Sequence, residues 1–346
     1  MTDIFNKGYN KMTEQKIAVL GCGLWGRNIV RNFYNLNALE MVCDLDDDNL
    51  AKVHEQYPDI KTTKNFNDIL NNPEITGVVV VTPSHTHYKF VKAMLEAGKN
   101  VYVEKPISTV AQEARDLADL ADSKGLVLMV GHLLLYHPAV NRLKMMIEEG
   151  ELGDIVYAQS DRLNINYFKN DRSVMWDLAP HDVSMMSYVT GKDPVRVISV
   201  VGCSSDRNEI MDITHLTIEF EGGMVGQISD SWITPKKHVQ LLVRGTKKTA
   251  ILDDTVPDHK LTIYDNYKSG SSEVFQPDIL EIEPLKLECQ HFISCCETGK
   301  KARSDGENGF IVVSILEEAE KIMLGDRAKN LDSVNFALSR SKKVQV

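Results

Sequence analysis

The chain has 346 residues, is 43% hydrophobic and 25% charged, and carries a formal net charge of −10. That length suits two domains whose cores are large enough to stand without cross-links, and the acidic balance excludes nucleic acid and an anionic membrane as main partners. Six cysteines (Cys22, Cys43, Cys203, Cys289, Cys295, Cys296) show no C-x-x-C spacing and no paired histidine cluster, so they read as reduced intracellular thiols and no metal site is expected.

Residues 1–15 read as a polar tail with neither a secretory leader nor a spanning segment, and the expected location is cytoplasmic. Over 16–131, short apolar runs alternate with amphipathic stretches, the pattern of βαβ units that feed a doubly wound parallel sheet. Strands are expected at 16–20, 39–43, 77–82, 100–104 and 126–130, with helices at 25–34, 48–56, 86–96 and 109–123. The first domain is expected to span 16–134.

The second domain, 135–346, has a different texture. A helix over 138–148 and a Gly-rich turn lead into a strand over 155–163. A helix over 177–190 follows and stops at Gly191, with Pro180 tolerated in its first turn. Strands at 195–202, 214–220, 224–232, 238–244, 250–253 and 261–264 form an open, mostly antiparallel sheet, in which Leu216, Ile218 and Phe220 alternate with Thr217 and Glu219. Helices over 284–297 and 309–324 cover one face or return to the first domain. An open sheet needs a partner for its other face, so a homo-oligomer is expected, with residues such as Trp232 available there.

Three motifs carry chemistry. Gly21-Cys22-Gly23-Leu24-Trp25-Gly26 follows an apolar strand and opens a helix, so the first Gly permits the turn, the second lets a pyrophosphate approach, and the third allows close packing. Free N–H groups of the helix start would face the phosphates. Eighteen residues beyond Gly26, at the end of the second strand, stands Asp44, placed to accept from adenosine ribose hydroxyls. No arginine lies in 45–50 to receive a 2′-phosphate and three further Asp would repel one, which favours NAD over NADP.

The second motif, Glu104-Lys105-Pro106, ends the fourth expected strand, where ligands bind in open α/β sheets. Lys105 there can stabilise a developing alkoxide, although a solvated Lys before a turn proline gives the same tripeptide. In the third, Trp176-Asp177-Leu178-Ala179-Pro180-His181-Asp182, Asp177 and His181 lie four apart and share a helix face. His181 suits proton transfer near neutral pH and Asp177 can orient its ring or bind a hydroxyl, while a capping Asp and a core His remain open readings. His87 and His132, near strand ends, could line the cofactor site, and His85 reads as surface.

With Thr82-Pro83-Ser84-His85-Thr86-His87, the 97–106 stretch and Asp177-x-x-x-His181, these elements resemble in order and spacing the glucose-fructose oxidoreductase / inositol dehydrogenase / MocA family over about 16–324. The resemblance implies a Rossmann domain joined to an α/β domain with an open sheet, and an NAD-dependent dehydrogenase acting on an alcohol. It implies cofactor contacts from Gly21, Gly23, Leu24, Trp25, Gly26, Asp44, Thr82, Pro83, His87, Glu104 and Lys105, and catalysis by Lys105 and His181 with Asp177. Within the family, the Arg162-Leu163-Asn164 and 174–182 stretches look like the branch that oxidises C3 of UDP-N-acetylglucosamine-type sugars. Arg162, Asn164, Arg172, Trp176, Asp177 and His181 then bind substrate; Lys169 and Arg172, in the loop before the catalytic helix, could meet a diphosphate, and a solvated loop accounts for them equally well. A free sugar or inositol dehydrogenase, a glycoside hydrolase using NAD+ transiently, and a non-catalytic NAD sensor stay open as alternatives.

Overall fold

In a computed structural model, the chain folds around two β-sheets of six and eight strands. The structure describes residues 13–165, 172–205, 210–265 and 274–341, with 326–341 described by their backbone alone. Most of the expected tail, 1–12, lies outside the described residues.

The chain begins with β1 (Ile17–Leu20), α1 (Gly26–Asn35), β2 (Leu39–Cys43), α2 (Asp47–Gln56), β3 (Lys61–Thr63) and α3 (Asn67–Leu70). It continues through β4 (Gly77–Val80), α4 (His87–Glu96), β5 (Asn100–Glu104), α5 (Ala111–Lys124) and β6 (Leu128–Gly131). Every pairing in the resulting sheet, β3-β2-β1-β4-β5-β6, is parallel. β1 and β4 are buried along their whole length, as a parallel sheet covered on both faces requires, and this is why their sequences run Ile-Ala-Val-Leu and Gly-Val-Val-Val without alternation. The edge strand β3 escaped the sequence reading because Lys61-Thr62-Thr63 is largely exposed and carries no apolar side chain.

The second stretch holds α6 (Pro138–Glu148), β7 (Ile155–Ile165), α7 (Val174–Thr190), β8 (Pro194–Cys203), β9 (Ile213–Phe220), β10 (Met224–Ser231) and β11 (Ile233–Gly245). β12 (Lys248–Asp253), β13 (Leu261–Asp265) and β14 (Val274–Phe275) follow, then α8 (Pro284–Thr298) and α9 (Gly306–Ser341). The sheet order is β14-β13-β12-β11-β7-β10-β9-β8, antiparallel except for the β7–β10 pair. On β9, buried Leu216, Ile218 and Phe220 alternate with less buried neighbours, so one face of this sheet packs and the other does not.

The chain divides into two compact units, one running to Tyr136 and including Ile282–Phe310, the other comprising His137–Glu281 and the chain from Ile311 onward. The 282–310 segment, expected in the second domain, lies in the first unit for a packing reason. Phe292 of α8 sets its ring 6.3 Å from Phe33 and 5.8 Å from Tyr102, under the parallel sheet. Ser304 exchanges bonds with Val130, accepting its N–H at 2.7 Å and donating from Oγ to its carbonyl at 2.6 Å, and so covers the free edge of β6.

Two expectations need correction. α7 starts at Val174 rather than 177, so Pro180 sits inside the helix and removes the N–H that would bond the Trp176 carbonyl. Trp232 is only 1% exposed and is a core residue of its unit rather than part of an open face, its backbone N–H donating to Asp212 at 3.0 Å. All six cysteines are free thiols, and no described helix is long and apolar enough to cross a membrane.

Candidate active site

The glycine loop joins β1 to α1. Gly21 has φ +98°, and a Cβ there would sit 2.6 Å from the Val81 carbonyl oxygen, so the tight turn excludes any other residue. A Cβ at Gly26 would lie 2.3 Å from the Gly21 oxygen, which is the close packing expected of the third glycine. At Gly23 the result is opposite: an added Cβ would meet no atom within 4 Å, so the loop leaves open space where a pyrophosphate would approach. Leu24 and Trp25 stand exposed beside it, at 86% and 40%.

Asp44 braces this loop. One carboxylate oxygen accepts from the Cys22 N–H at 2.7 Å and the other from the Asp46 N–H at 2.9 Å. Partial burial pushes its pKa up, but these backbone donors outweigh that and hold it below the usual value, so the carboxylate is anionic. Asp46, Asp47 and Asp48 are exposed alongside. Of these, Asp47 pairs with Lys64 at 2.8 Å, and the group leaves net negative charge beside the glycine loop.

At the carboxyl ends of β4, β5 and β6 lie the other expected groups of this unit. Glu104 ends β5 and accepts from the Trp25 indole N–H at 2.7 Å and the Tyr102 hydroxyl at 3.3 Å, a link between the glycine loop and Lys105 that no sequence pattern announces. Lys105 is half-buried, and its peptide bond to Pro106 is cis. His132, which follows β6 and is 1% exposed, has no hydrogen-bond partner on either ring nitrogen among the described residues. Burial and the Lys105 charge lower its pKa to about 3, so it is a neutral imidazole.

His87 departs from its expected role. Its two ring nitrogens face the carbonyl oxygens of Pro106 at 2.8 Å and Thr82 at 2.7 Å, and the ring is 1% exposed. It therefore ties the Thr82-Pro83 turn to the end of β5 instead of presenting itself to a cofactor. The Thr82 and Thr86 hydroxyls share a 2.7 Å bond, Pro83 is exposed, and so is His85.

A further acid was missed. Glu288 of α8 is 1% exposed, and neither carboxylate oxygen meets hydrogen-bond geometry with a described residue. Burial and the nearby Glu104 push its pKa well above the carboxylate range, against a smaller opposing contribution from Tyr102. The signal was present in the helical spacing, since 285, 288, 289 and 292 form one buried stripe in which Glu288 is the odd member.

In the second unit, α7 carries Asp177, 8% exposed, and half-buried His181 on one face. Asn164 lies two residues from Arg162 on β7, both half-buried. Arg162, expected at substrate, holds a carboxylate of its own unit. Its Nε and Nη2 donate to the two oxygens of Asp182 at 3.1 and 2.8 Å, and Ser160 Oγ adds a third bond at 2.7 Å. Trp176 is likewise buried, at 4% exposure, with its indole N–H donating to Glu320 of α9 at 3.0 Å, so packing and not substrate claims it. Arg172 is half-buried just before α7, and Lys169 lies outside the described residues. Among the described residues no cluster of His, Cys, Asp and Glu could hold a metal ion.

Comparison with known proteins gives the family and the fold. Residues 15–132 match the oxidoreductase family with an NAD-binding Rossmann fold, and residues 140–251 match the GFO/IDH/MocA C-terminal domain. The chain is similar to the NADP(+) scyllo-inositol 2-dehydrogenase IolW of Bacillus subtilis, at 27% identity over 71% of this chain and 70% of that protein. It is also similar to UDP-N-acetylglucosamine 3-dehydrogenase of Acidithiobacillus ferrooxidans, at 28% identity over 70% and 75%. The solved structure of that organism's enzyme, GnnA, shares the fold with a TM-score of 0.78 over 89% of this chain and 97% of its own, at 23% identity. Taken with the glycine loop, the six-stranded parallel sheet and the second, mostly antiparallel sheet, these matches place the chain in the GFO/IDH/MocA family of oxidoreductases.

Proposed function

We propose that this chain is an NAD-dependent dehydrogenase that oxidises a ring hydroxyl of a sugar, C3 of a UDP-N-acetylhexosamine-type nucleotide sugar. The observation that carries the dehydrogenase reading is the open space at Gly23 beside anionic Asp44, in the same unit as Lys105 at a strand end. Similarity to UDP-N-acetylglucosamine 3-dehydrogenase supports the nucleotide sugar, and Asp44 with its three acidic followers supports NAD over NADP although IolW is NADP-dependent by name. Gly21, Gly23, Leu24, Trp25, Gly26, Asp44, Thr82, Pro83 and Glu104 are the groups we assign to the cofactor.

When bound, NAD supplies the hydride acceptor at C4 of its nicotinamide. His181 takes the hydroxyl proton as the carbon–hydrogen bond breaks, and Asp177 orients its ring or holds a neighbouring hydroxyl. Lys105 donates to the same oxygen and stabilises its negative charge. Asn164 and Arg172 are the remaining candidates for substrate contacts. Val201 on β8, 62% exposed and in register with exposed His215 of β9, supports a homo-oligomer covering the outer sheet face.

The test is NADH formation by purified protein with NAD+ against UDP-N-acetylglucosamine, UDP-glucuronate-type sugars, free hexoses and myo-inositol. Turnover confined to UDP-sugars is expected. Turnover confined to myo-inositol or hexoses moves the protein to the polyol reading that similarity to IolW favours, and silence with every sugar sinks the dehydrogenase reading.

A further inference from the structure

We propose that Arg162 and Asp182 form a clamp that sets the direction of His181, so that Arg162 is a positioning residue and not a substrate ligand. The inference rests on the dehydrogenase reading in one respect only, the role of His181 as base.

The clamp has unusually complete geometry. Asp182 is 0% exposed and receives three donors: Nε and Nη2 of Arg162 at 3.1 and 2.8 Å, and Ser160 Oγ at 2.7 Å. Arg162 and Ser160 are two apart on β7, hence on one face, and β7 is an interior strand paired with β10 on one side and β11 on the other. Asp230 of β10 stands in register with Arg162 and is itself 1% exposed, and its charge and that of Asp254 act on the same guanidinium. Asp254 in turn holds Lys260 at 2.6 Å and His137, the N-cap of α6, at 3.5 Å. The anchor for Asp182 is therefore the middle of the sheet, not a loop.

The need for such an anchor follows from Pro180. It lacks the N–H that would bond the Trp176 carbonyl, so the helical ladder is open across the turn that carries Asp177 and His181. Successive helix residues turn by about 100°. With Asp182 fixed against β7, His181 is rotated by about 100° from the sheet direction and Asp177 lies about 40° from His181. The clamp adds a fix from an interior strand to a turn that lacks one backbone bond, beside the bond that Trp176 makes to Glu320 of α9. A buried charge left unpaired is also costly, so the two partners act as a unit.

The experiment compares Arg162→Gln, Arg162→Lys, Asp182→Asn and the Arg162→Gln/Asp182→Asn double variant with the full chain. With the sugar that the parent protein oxidises, kcat is expected to fall on the order of 10²-fold with KM within about threefold, as for a displaced base. NADH binding by fluorescence is unchanged, Arg162→Lys recovers part of the loss, and the double variant is no worse than the worse single. A tenfold or larger rise in KM at unchanged kcat, or additive losses, overturns the proposal in favour of substrate binding. A readout free of turnover is the His181 imidazole resonance, identified by its loss in His181→Ala. It is expected to shift in both single variants, and its indifference to either refutes the clamp even if the parent protein turns over no sugar. Should Arg162→Gln fail to fold, Arg162→Lys and Asp182→Asn decide the outcome by the same criteria.

Discussion

The two units solve the problem of placing polar groups in different ways. In the first, the polar contacts around the glycine loop are mostly main-chain: the Cys22 and Asp46 N–H groups on Asp44, the Gly21 turn against Val81, and the Thr82 and Pro106 carbonyls on His87. In the second, side chains converge on carboxylates: Arg162 and Ser160 of one strand, β7, on the helix residue Asp182, and Lys260 and His137 on Asp254. A main-chain site tolerates change in most side chains but not in the few that shape the backbone. A side-chain network tolerates backbone drift but not the loss of a single partner, because each loss strands a buried charge.

The largest effect should come from the second unit. His181→Ala is expected to lower kcat by roughly 10² to 10⁴-fold while NADH affinity, measured by fluorescence titration, stays within error. A parallel loss of NADH binding would break the separation of roles between the units. Next, Asp44→Ala should weaken NAD(H) by about 10 to 100-fold, the worth of hydrogen bonds to a charged group, and reduce the preference over NADP(H). Asp44→Asn should fall between, because an amide oxygen can still accept one of the two backbone N–H bonds.

Gly21→Ala should destabilise the protein by about 1–3 kcal/mol in urea unfolding, since it combines φ +98° with a Cβ 2.6 Å from a carbonyl oxygen. An equally soluble and equally stable variant would mean that the loop is softer than the main-chain picture requires.

The last effect, a pH slope and not a fixed loss, concerns Glu288. Its pKa is raised in the folded state, so the native protein keeps a proton that the unfolded chain has released above about pH 4.3. Stability contributed below that pH is therefore lost as the pH rises toward the folded pKa, with a slope of at most about 1.4 kcal/mol per pH unit. Glu288→Gln removes the titration, and its unfolding free energy should depend less on pH between about pH 5 and 8 than that of the parent. Identical slopes would show that Glu288 is ionised in the fold.

By itself, the sequence determined the architecture and the main-chain half of the candidate site. Buried parallel strands announce themselves as apolar runs, the Gly21–Gly26 loop and Asp44 are contiguous or at a fixed spacing along the chain, and helical period places Asp177 and His181 together. Local rules set all of these. Tertiary structure alone decided which polar side chains are already claimed. Arg162, Trp176 and His87 were all expected at ligands, and their partners, Asp182, Glu320 and the carbonyls of Thr82 and Pro106, come from other elements. Glu104 meets Trp25 from 79 residues away, and α8 returns to the first unit because the Phe292 ring completes a core begun by Phe33 and Tyr102. Such pairings arise from closing long loops around a core, and no window of sequence contains both partners.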